Sequence, residues 1–225
     1  AISDDYNGID VPALSCDLSA GLIVIFTVTD ECGNTATCAK TVYVDDTTVP
    51  TIDCSGVNNL VMECADGSNY PAAIEAWIAA AKLTILADPQ TDDACDASLA
   101  ISDNYNGSDV PALSCDLTAG LTVVFTVTDE CGNTATCAKT VYIDDTTPPM
   151  ITTLPTSLDA TLECSNTTGI DAALLLIPAA TDNCDATPTI SLSSDVTTPG
   201  TCPQEYTGVK TWRLRDDCGN VSGTF

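Results

Sequence analysis

At 225 residues, with 26 Asp and 6 Glu against six Lys and Arg, the chain carries a formal net charge of −26. Nucleic acid is excluded as a partner, because phosphate contacts need a basic surface. Histidine is absent, which removes a Ser-His-Asp triad, a Cys-His pair and most zinc sites, so the 13 cysteines point to disulfides and an oxidising, extracellular setting.

The order of elements is set by a repeat. Residues 1–50 and 100–149 align without a gap and are identical at 43 of 50 positions, differing only at 5/104, 9/108, 19/118, 23/122, 25/124, 44/143 and 49/148. A divergent third copy follows: Leu162-Glu163-Cys164 answers Met62-Glu63-Cys64, and Asp216-Asp217-Cys218-Gly219-Asn220 answers Asp129-Glu130-Cys131-Gly132-Asn133. Thr181-Asp182-Asn183-Cys184-Asp185 answers Thr91 to Asp96, with Asp182 set against Asp92 and Asn183 against Asp93. The strings Asp45–Pro50 and Asp144–Pro149 read as stiff, extended connectors, since proline restricts itself and the residue before it. They divide the chain into the C-terminal half of one module (1–49), a complete module (50–148) and a third, divergent module lacking its last strand (149–225). On this reading the chain starts and stops inside modules. A module of about 100 residues is enough for one small core.

In chain order, Leu22–Thr29 is read as a half-buried strand because it copies Leu121–Thr128, where Val123, Phe125 and Val127 share one face and threonines largely the other, in a run rich in β-branched side chains. Ala36–Val44 is a second strand, joined to the first across a Glu-Cys-Gly-Asn turn, and Asn58–Cys64 a third. Pro71–Leu86 breaks the pattern. It opens on proline and places Ile74, Trp77, Ile78 and Ala81 at helical spacing, which predicts a short helix over about 71–82 docked on the sheet; the third module shortens this region to Asp171–Ile177. Leu121–Thr128 and Ala135–Ile143 repeat the first hairpin, and Tyr206–Arg215 is a further strand. No signal peptide or transmembrane run is visible. The fold class expected is all-β: tandem, disulfide-stapled antiparallel sandwich modules with one short helix in the complete module.

The complete module holds six cysteines, which allow fifteen pairings. The positions that match Cys54 and Cys137 in the third copy are Thr153 and Thr224, so the two were lost together and are expected to bond each other. The remaining four are read as Cys64–Cys131 across the sheets and Cys95–Cys115 locally, with Cys164–Cys218 and Cys184–Cys202 as their homologues. Cys16, Cys32 and Cys38 are left without partners.

Aspartate-rich strand ends are the candidate metal ligands, because calcium takes oxygen donors from Asp, Asn and backbone carbonyls. One cluster is Asp92, Asp93 and Asp96, with Asp182, Asn183 and Asp185 in the third copy. Asp129–Glu130 is a second, repeated as Asp30–Glu31 and Asp216–Asp217. The linker pair Asp144–Asp145, repeated as Asp45–Asp46, is a third. Asx-turn chemistry alone explains each taken singly; their recurrence at module ends points to a calcium ion that stiffens the junction. Among 32 acidic residues no pair stands out for glycoside hydrolysis, and no phosphate-binding or dinucleotide motif is present.

Together, Glu63-Cys64, Asp93-Ala94-Cys95-Asp96, Thr128-Asp129-Glu130-Cys131-Gly132-Asn133 and Asp144-Asp145-Thr146-Thr147-Pro148-Pro149 resemble the HYR-like, immunoglobulin-like tandem repeats of large Bacteroidota cell-surface adhesins of the gliding-adhesin type. That resemblance implies an immunoglobulin-like sandwich, export to the cell surface, a role in adhesion or in a long filament, and no catalytic residues. It implies as partners the neighbouring modules of the same chain, surface polysaccharide or other filament chains, with no direct membrane insertion. It also implies glycosylation of Asp-Thr at Thr47 and Thr146. The function expected is therefore a stalk segment of a surface adhesin. A carbohydrate- or ligand-binding module attached to a secreted enzyme is the alternative, and low aromatic content (5%) weighs against it.

Overall fold

The computed structural model describes residues 1–12, 16, 18, 20–65, 69–154, 156–201 and 203–225. The fold is all-β and disulfide-stapled, built mainly from antiparallel strands, with two helices among the described residues. β1 (Ile2–Asp4), β2 (Leu22–Thr29) and β3 (Thr35–Val42) form one antiparallel sheet in the order β1-β2-β3, with Leu22 opposite Val42 and Thr29 opposite Thr35. β4 (Leu60–Glu63), β5 (Ala100–Asp103), β6 (Leu121–Thr128) and β7 (Thr134–Asp144) form a four-stranded sheet in the order β4-β7-β6-β5. Here β4 runs parallel to β7, pairing Leu60 with Val141 and Glu63 with Asp144. Two small ribbons complete the strands: β8 (Met150–Ile151) with β9 (Ala180–Thr181), and β10 (Thr189–Pro199) with β11 (Tyr206–Arg215).

Each Asp-x-Cys-Gly-Asn turn needs its glycine. Gly33, Gly132 and Gly219 have φ of +83°, +87° and +92°, a region in which a Cβ is strained. The aspartate at the start of each turn closes it: Asp30, Asp129 and Asp216 accept from the backbone N–H of Asn34, Asn133 and Asn220, each at 2.8 Å.

The chain divides into two compact units, one comprising Ala1–Asn58, Ala72–Ser108 and Thr122–Lys139, the other Asn59–Pro71, Asp109–Leu121 and Thr140–Phe225. In the first unit the core is the meeting of α1 (Tyr70–Ala87) with β6. Ile74, Ile78, Ala81 and Ile85 are buried on the helix, and Val123, Phe125 and Val127 on the strand. Trp77 stands edge-on to Phe125, with ring centroids 6.0 Å apart, and donates its indole N–H to the Asn58 carbonyl. Lys82 pairs with Asp103 at 2.6 Å. In the second unit the buried apolar residues include Val141, Ile143 and Leu214.

The helix runs to Ala87, beyond the expected end near residue 82, because the buried stripe continues one turn to Ile85. By length (18 residues) and mean hydropathy (1.2) α1 is apolar enough to cross a membrane, but its apolar stripe is buried against the sheet. β3 ends at Val42, two residues short of expectation, and β4 is confined to Leu60–Glu63. The shortened helix of the third copy is α2 (Thr167–Leu174), capped by the Asn166 side chain, which accepts from the Gly169 N–H at 3.0 Å.

Candidate functional site

The Asp-Asp-Thr-Thr linkers organise the most unusual chemistry in the molecule, and they do it twice. In the first unit Asp46 is buried (5% exposed). Its Oδ1 accepts from the Thr48 N–H at 2.9 Å, and its carbonyl accepts from the Asn133 side chain at 3.1 Å. Asp93 caps the turn beside it, its Oδ1 accepting from the N–H groups of Cys95 (2.8 Å) and Asp96 (3.1 Å). Asp96 Oδ2 in turn accepts from the Glu130 N–H at 2.7 Å. Carboxylate oxygens of Asp46 and Asp93 and the Cys95 sulfur all lie within 4.8 Å of one another.

The second unit repeats this set. Asp145 (4% exposed) accepts at Oδ1 from the Thr147 N–H at 3.1 Å, and its carbonyl accepts from the Asn220 side chain at 2.8 Å. Asp182 Oδ1 accepts from the N–H groups of Cys184 and Asp185, both at 2.9 Å. Asp185 Oδ2 takes the Asp217 N–H at 3.1 Å. Asp145, Asp182 and Cys184 again lie within 4.8 Å of one another. The turn bonding makes Asp182 the counterpart of Asp93, so the one-residue gap in the third copy falls earlier than the alignment Asp182/Asp92 and Asn183/Asp93 placed it.

Electrostatics mark these linkers as unfinished. Among the described residues, Asp46 Oδ2, Asp93 Oδ2, Asp182 Oδ2 and Asn183 Oδ1 are buried without a hydrogen-bond partner, an arrangement that costs free energy unless a cation or proton relieves it. Burial pushes the Asp145 carboxyl above its usual range, and the charges of Asp182, Asp216 and Glu63 add to that. Burial also raises the Cys95 thiol, with Asp46 and Asp93 contributing. Asp129 goes the other way. Burial works to raise it, but bonds from the side chain and backbone of Asn133 and from the Cys131 and Gly132 amides together hold it below the usual range.

The donor set is oxygen-rich, which suits a hard cation such as calcium. In the second unit the sulfur is committed to a disulfide, leaving carboxylates as the ligands. Of the candidate ligands, the structure brings together Asp46 with Asp93 and Asp145 with Asp182. Asp96, Asp129 and Asp185 lie in the adjoining turns with oxygens already bonded to N–H groups. Asp92 and Asp45 are exposed, and Asp144 Oδ1 accepts from the Asp145 N–H, so these three fall outside the clusters. Thr47 and Thr146 are both exposed. Thr146 is also gripped by Glu63, which accepts from its N–H (3.0 Å), its hydroxyl (2.8 Å) and the Thr147 hydroxyl (2.8 Å).

Among the described residues four disulfides frame the linkers and mark a chain that folds in an oxidising environment. Cys54–Cys137 forms as paired loss predicts, with Cα atoms 6.3 Å apart. The other pairings differ from expectation: they are Cys16–Cys131, Cys64–Cys184 and Cys115–Cys218, with Cα separations of 5.0, 5.8 and 5.0 Å. Cys64–Cys131, Cys95–Cys115 and Cys164–Cys218 are therefore not bonds here. Cys184 is bonded to Cys64 rather than to Cys202, which lies outside the described residues. Backbone geometry explains the exchange. Cys64 follows β4 onto the linker, where its N–H reaches the Asp144 carbonyl at 2.7 Å and its own carbonyl accepts from the Asn183 side chain. Cys115 likewise follows a bridge of Leu113 to Ile143. Both are delivered to the turns of the next copy rather than to their own. Cys32, Cys38, Cys95 and Cys164 are free and exposed. No protein-family model and no curated protein matches the chain.

Proposed function

We infer that the chain is a structural segment of an extracellular filament or stalk of a cell-surface adhesin, held against stretching by disulfides that link successive repeat copies and stiffened by calcium at the linker carboxylates. The observation that carries this reading is the overlap of two bonds. Cys16–Cys131 and Cys115–Cys218 interlock, so a load applied to the two ends passes through the bridges. Only residues 1–16, 115–131 and 218–225 can then lengthen. At about 3.4 Å per extended residue this is roughly 130 Å, against roughly 770 Å for the reduced chain. A spacer that must resist shear needs this property, whereas a module displaying a binding site does not. Both tryptophans are half-buried, and Trp77 is held edge-on to Phe125.

Calcium belongs to the same reading because each linker brings a buried aspartate close to a second carboxylate, with an oxygen left unpaired on Asp46, Asp93 and Asp182. Asp46 and Asp93 would hold one ion, and Asp145 and Asp182 another. Single-molecule stretching tests the mechanical core of the proposal. The oxidised chain should reach a short limit of extension that lengthens several-fold on adding reductant. Equal extension in both states would remove the case for a load-bearing stalk.

A further inference from the structure

We propose that the outer face of β2 and β3 is the seat of a second helix-and-strand segment, a copy of residues 50–99 carried on the same polypeptide by the repeat that contains this hairpin. This rests on the repeat and on burial, and is independent of the stalk reading.

The hairpin β2–β3 and the hairpin β6–β7 are near-identical in sequence and differ in what covers them. Phe125, Val127 and Val141 are fully buried, whereas their counterparts Phe26, Val28 and Val42 are 37%, 49% and 49% exposed. Beside the first set stand α1, whose Trp77 meets Phe125 edge-on and which buries Ile74, Ile78, Ala81 and Ile85, and β4, which adds to the edge of β7 with Leu60 opposite Val141. The face of β2–β3 is a shaped receptor for the same cover. A cavity of about 310 Å³ opens on it, with Leu22, Val24, Phe26 and Val42 among its apolar lining and Asp4 and Asp10 as its two carboxylates. Among the described residues no strand pairs with the outer edge of β3 in the sheet order β1-β2-β3, so a copy of β4 would place its leucine opposite Val42. The copy of Glu63 would then reach Thr47 and Thr48, as Glu63 holds Thr146 and Thr147.

Two free thiols name the same occupant independently. Cys38 is the copy of Cys137, which bonds Cys54, and Cys95 is the counterpart of Cys184, which bonds Cys64. Both missing partners, the copies of Cys54 and Cys64, lie in the proposed segment. Each bond forms as two thiols give up two protons and two electrons to a disulfide oxidant of the folding compartment, itself reduced to two thiols. The same register assigns Cys32 elsewhere. As the copy of Cys131 it pairs with a counterpart of Cys16, one repeat further back, and Cys164 pairs with a counterpart of Cys95 in a following repeat.

The test extends the full chain by placing residues 50–99 directly before Ala1, so that Leu99 of the added copy joins Ala1 as Leu99 joins Ala100. The extended chain is folded in a glutathione redox buffer. Non-reducing peptide mapping should link Cys38 to the added Cys54 and the original Cys95 to the added Cys64, while Cys32, Cys164 and the added copy of Cys95 remain open to alkylation. Amide exchange in residues 22–29 should slow to the rate of residues 121–128. A version with the added Cys54 and Cys64 changed to serine should still slow that exchange, because apolar seating does not need the bonds. If residues 22–29 exchange as fast as before while 121–128 stay protected in the same sample, the proposal fails. Alkylation of both Cys38 and the original Cys95 in the extended chain would overturn it equally.

Discussion

The hairpins β2–β3 and β6–β7 are an experiment in context made by the molecule itself. Seven differences in 50 aligned residues leave β2 and β6 equal in length and the Asp-x-Cys-Gly-Asn turn unchanged, while β3 covers eight residues and β7 eleven. Both hairpins form, so local alternation and turn chemistry suffice for the strands. Their energetic weight diverges all the same, because a β-strand face contributes to stability only when another element covers it. Around β6 the cover is α1, and Phe125 is buried; on β2 the same ring is more than one-third exposed.

The largest test of that contrast is a pair of truncations. Phe125→Ala should cost about 3–5 kcal/mol, the range for emptying a buried aromatic site. Phe26→Ala should cost well under about 1 kcal/mol, as for a residue outside the core. Urea denaturation of the two variants decides it, and equal losses would mean that burial is not what separates the hairpins. Next in size is the bridge. Cys137→Ser removes the bond to Cys54 and should cost about 2–4 kcal/mol. Cys38→Ser, at the copied position, touches a free exposed thiol and should leave the denaturation midpoint unmoved.

The linkers extend the comparison, since they bury the same carboxylates in both units. Calcium at a hundredfold excess over its dissociation constant would add about 2.7 kcal/mol if it binds only the folded chain. Chelation should therefore lower the melting temperature, and calcium should restore it where sodium at equal ionic strength does not. Asp46→Asn and Asp145→Asn should each remove part of this response, and the double variant should remove all of it. A double variant that answers calcium as the parent chain does would strike both sites.

The strands and the helix were legible because their signals are local: period two in Leu121–Thr128, helical spacing from Ile74 to Ala81, and a joint loss at Thr153 and Thr224 that betrayed Cys54–Cys137. The other pairings were not legible. When copies are nearly identical, a cysteine's partner in its own copy and the equivalent residue in the next present the same spacing pattern, and only the path of the backbone through Cys64 and Cys115 separates them. The candidate metal site was half visible. Recurrence drew attention to Asp46 and Asp145, but Asp93 and Asp182 come from another segment and meet the linker only in the fold. Neither hairpin's sequence carries a sign of which one is covered, because the cover is a different part of the chain.

The smallest predicted effect concerns the turn itself, at Asp30. The Asn34 side chain, with help from the Asn34, Cys32 and Gly33 backbone amides, holds this carboxyl below its usual range. A carboxyl with a lowered folded pKa stabilises the native state above its unfolded value, and that contribution is lost as pH falls through the folded value. Asp30→Asn keeps an acceptor for the Asn34 N–H (2.8 Å) but replaces the oxygen that takes the Asn34 side chain (2.8 Å). The variant should therefore melt slightly below the parent at neutral pH. The gap should close as pH falls below about 4, where ordinary carboxylates begin to protonate. Because the group is exposed, the gap should also stay small and depend little on whether Cys38 or Cys32 has been substituted. Thermal melts of parent and variant across that pH range, in chelator so that the linkers do not contribute, give the measurement. A gap that stayed constant down to the acid limit would mean that the turn loses geometry rather than charge in the variant, and that Asp30 acts as a shape rather than as an ion.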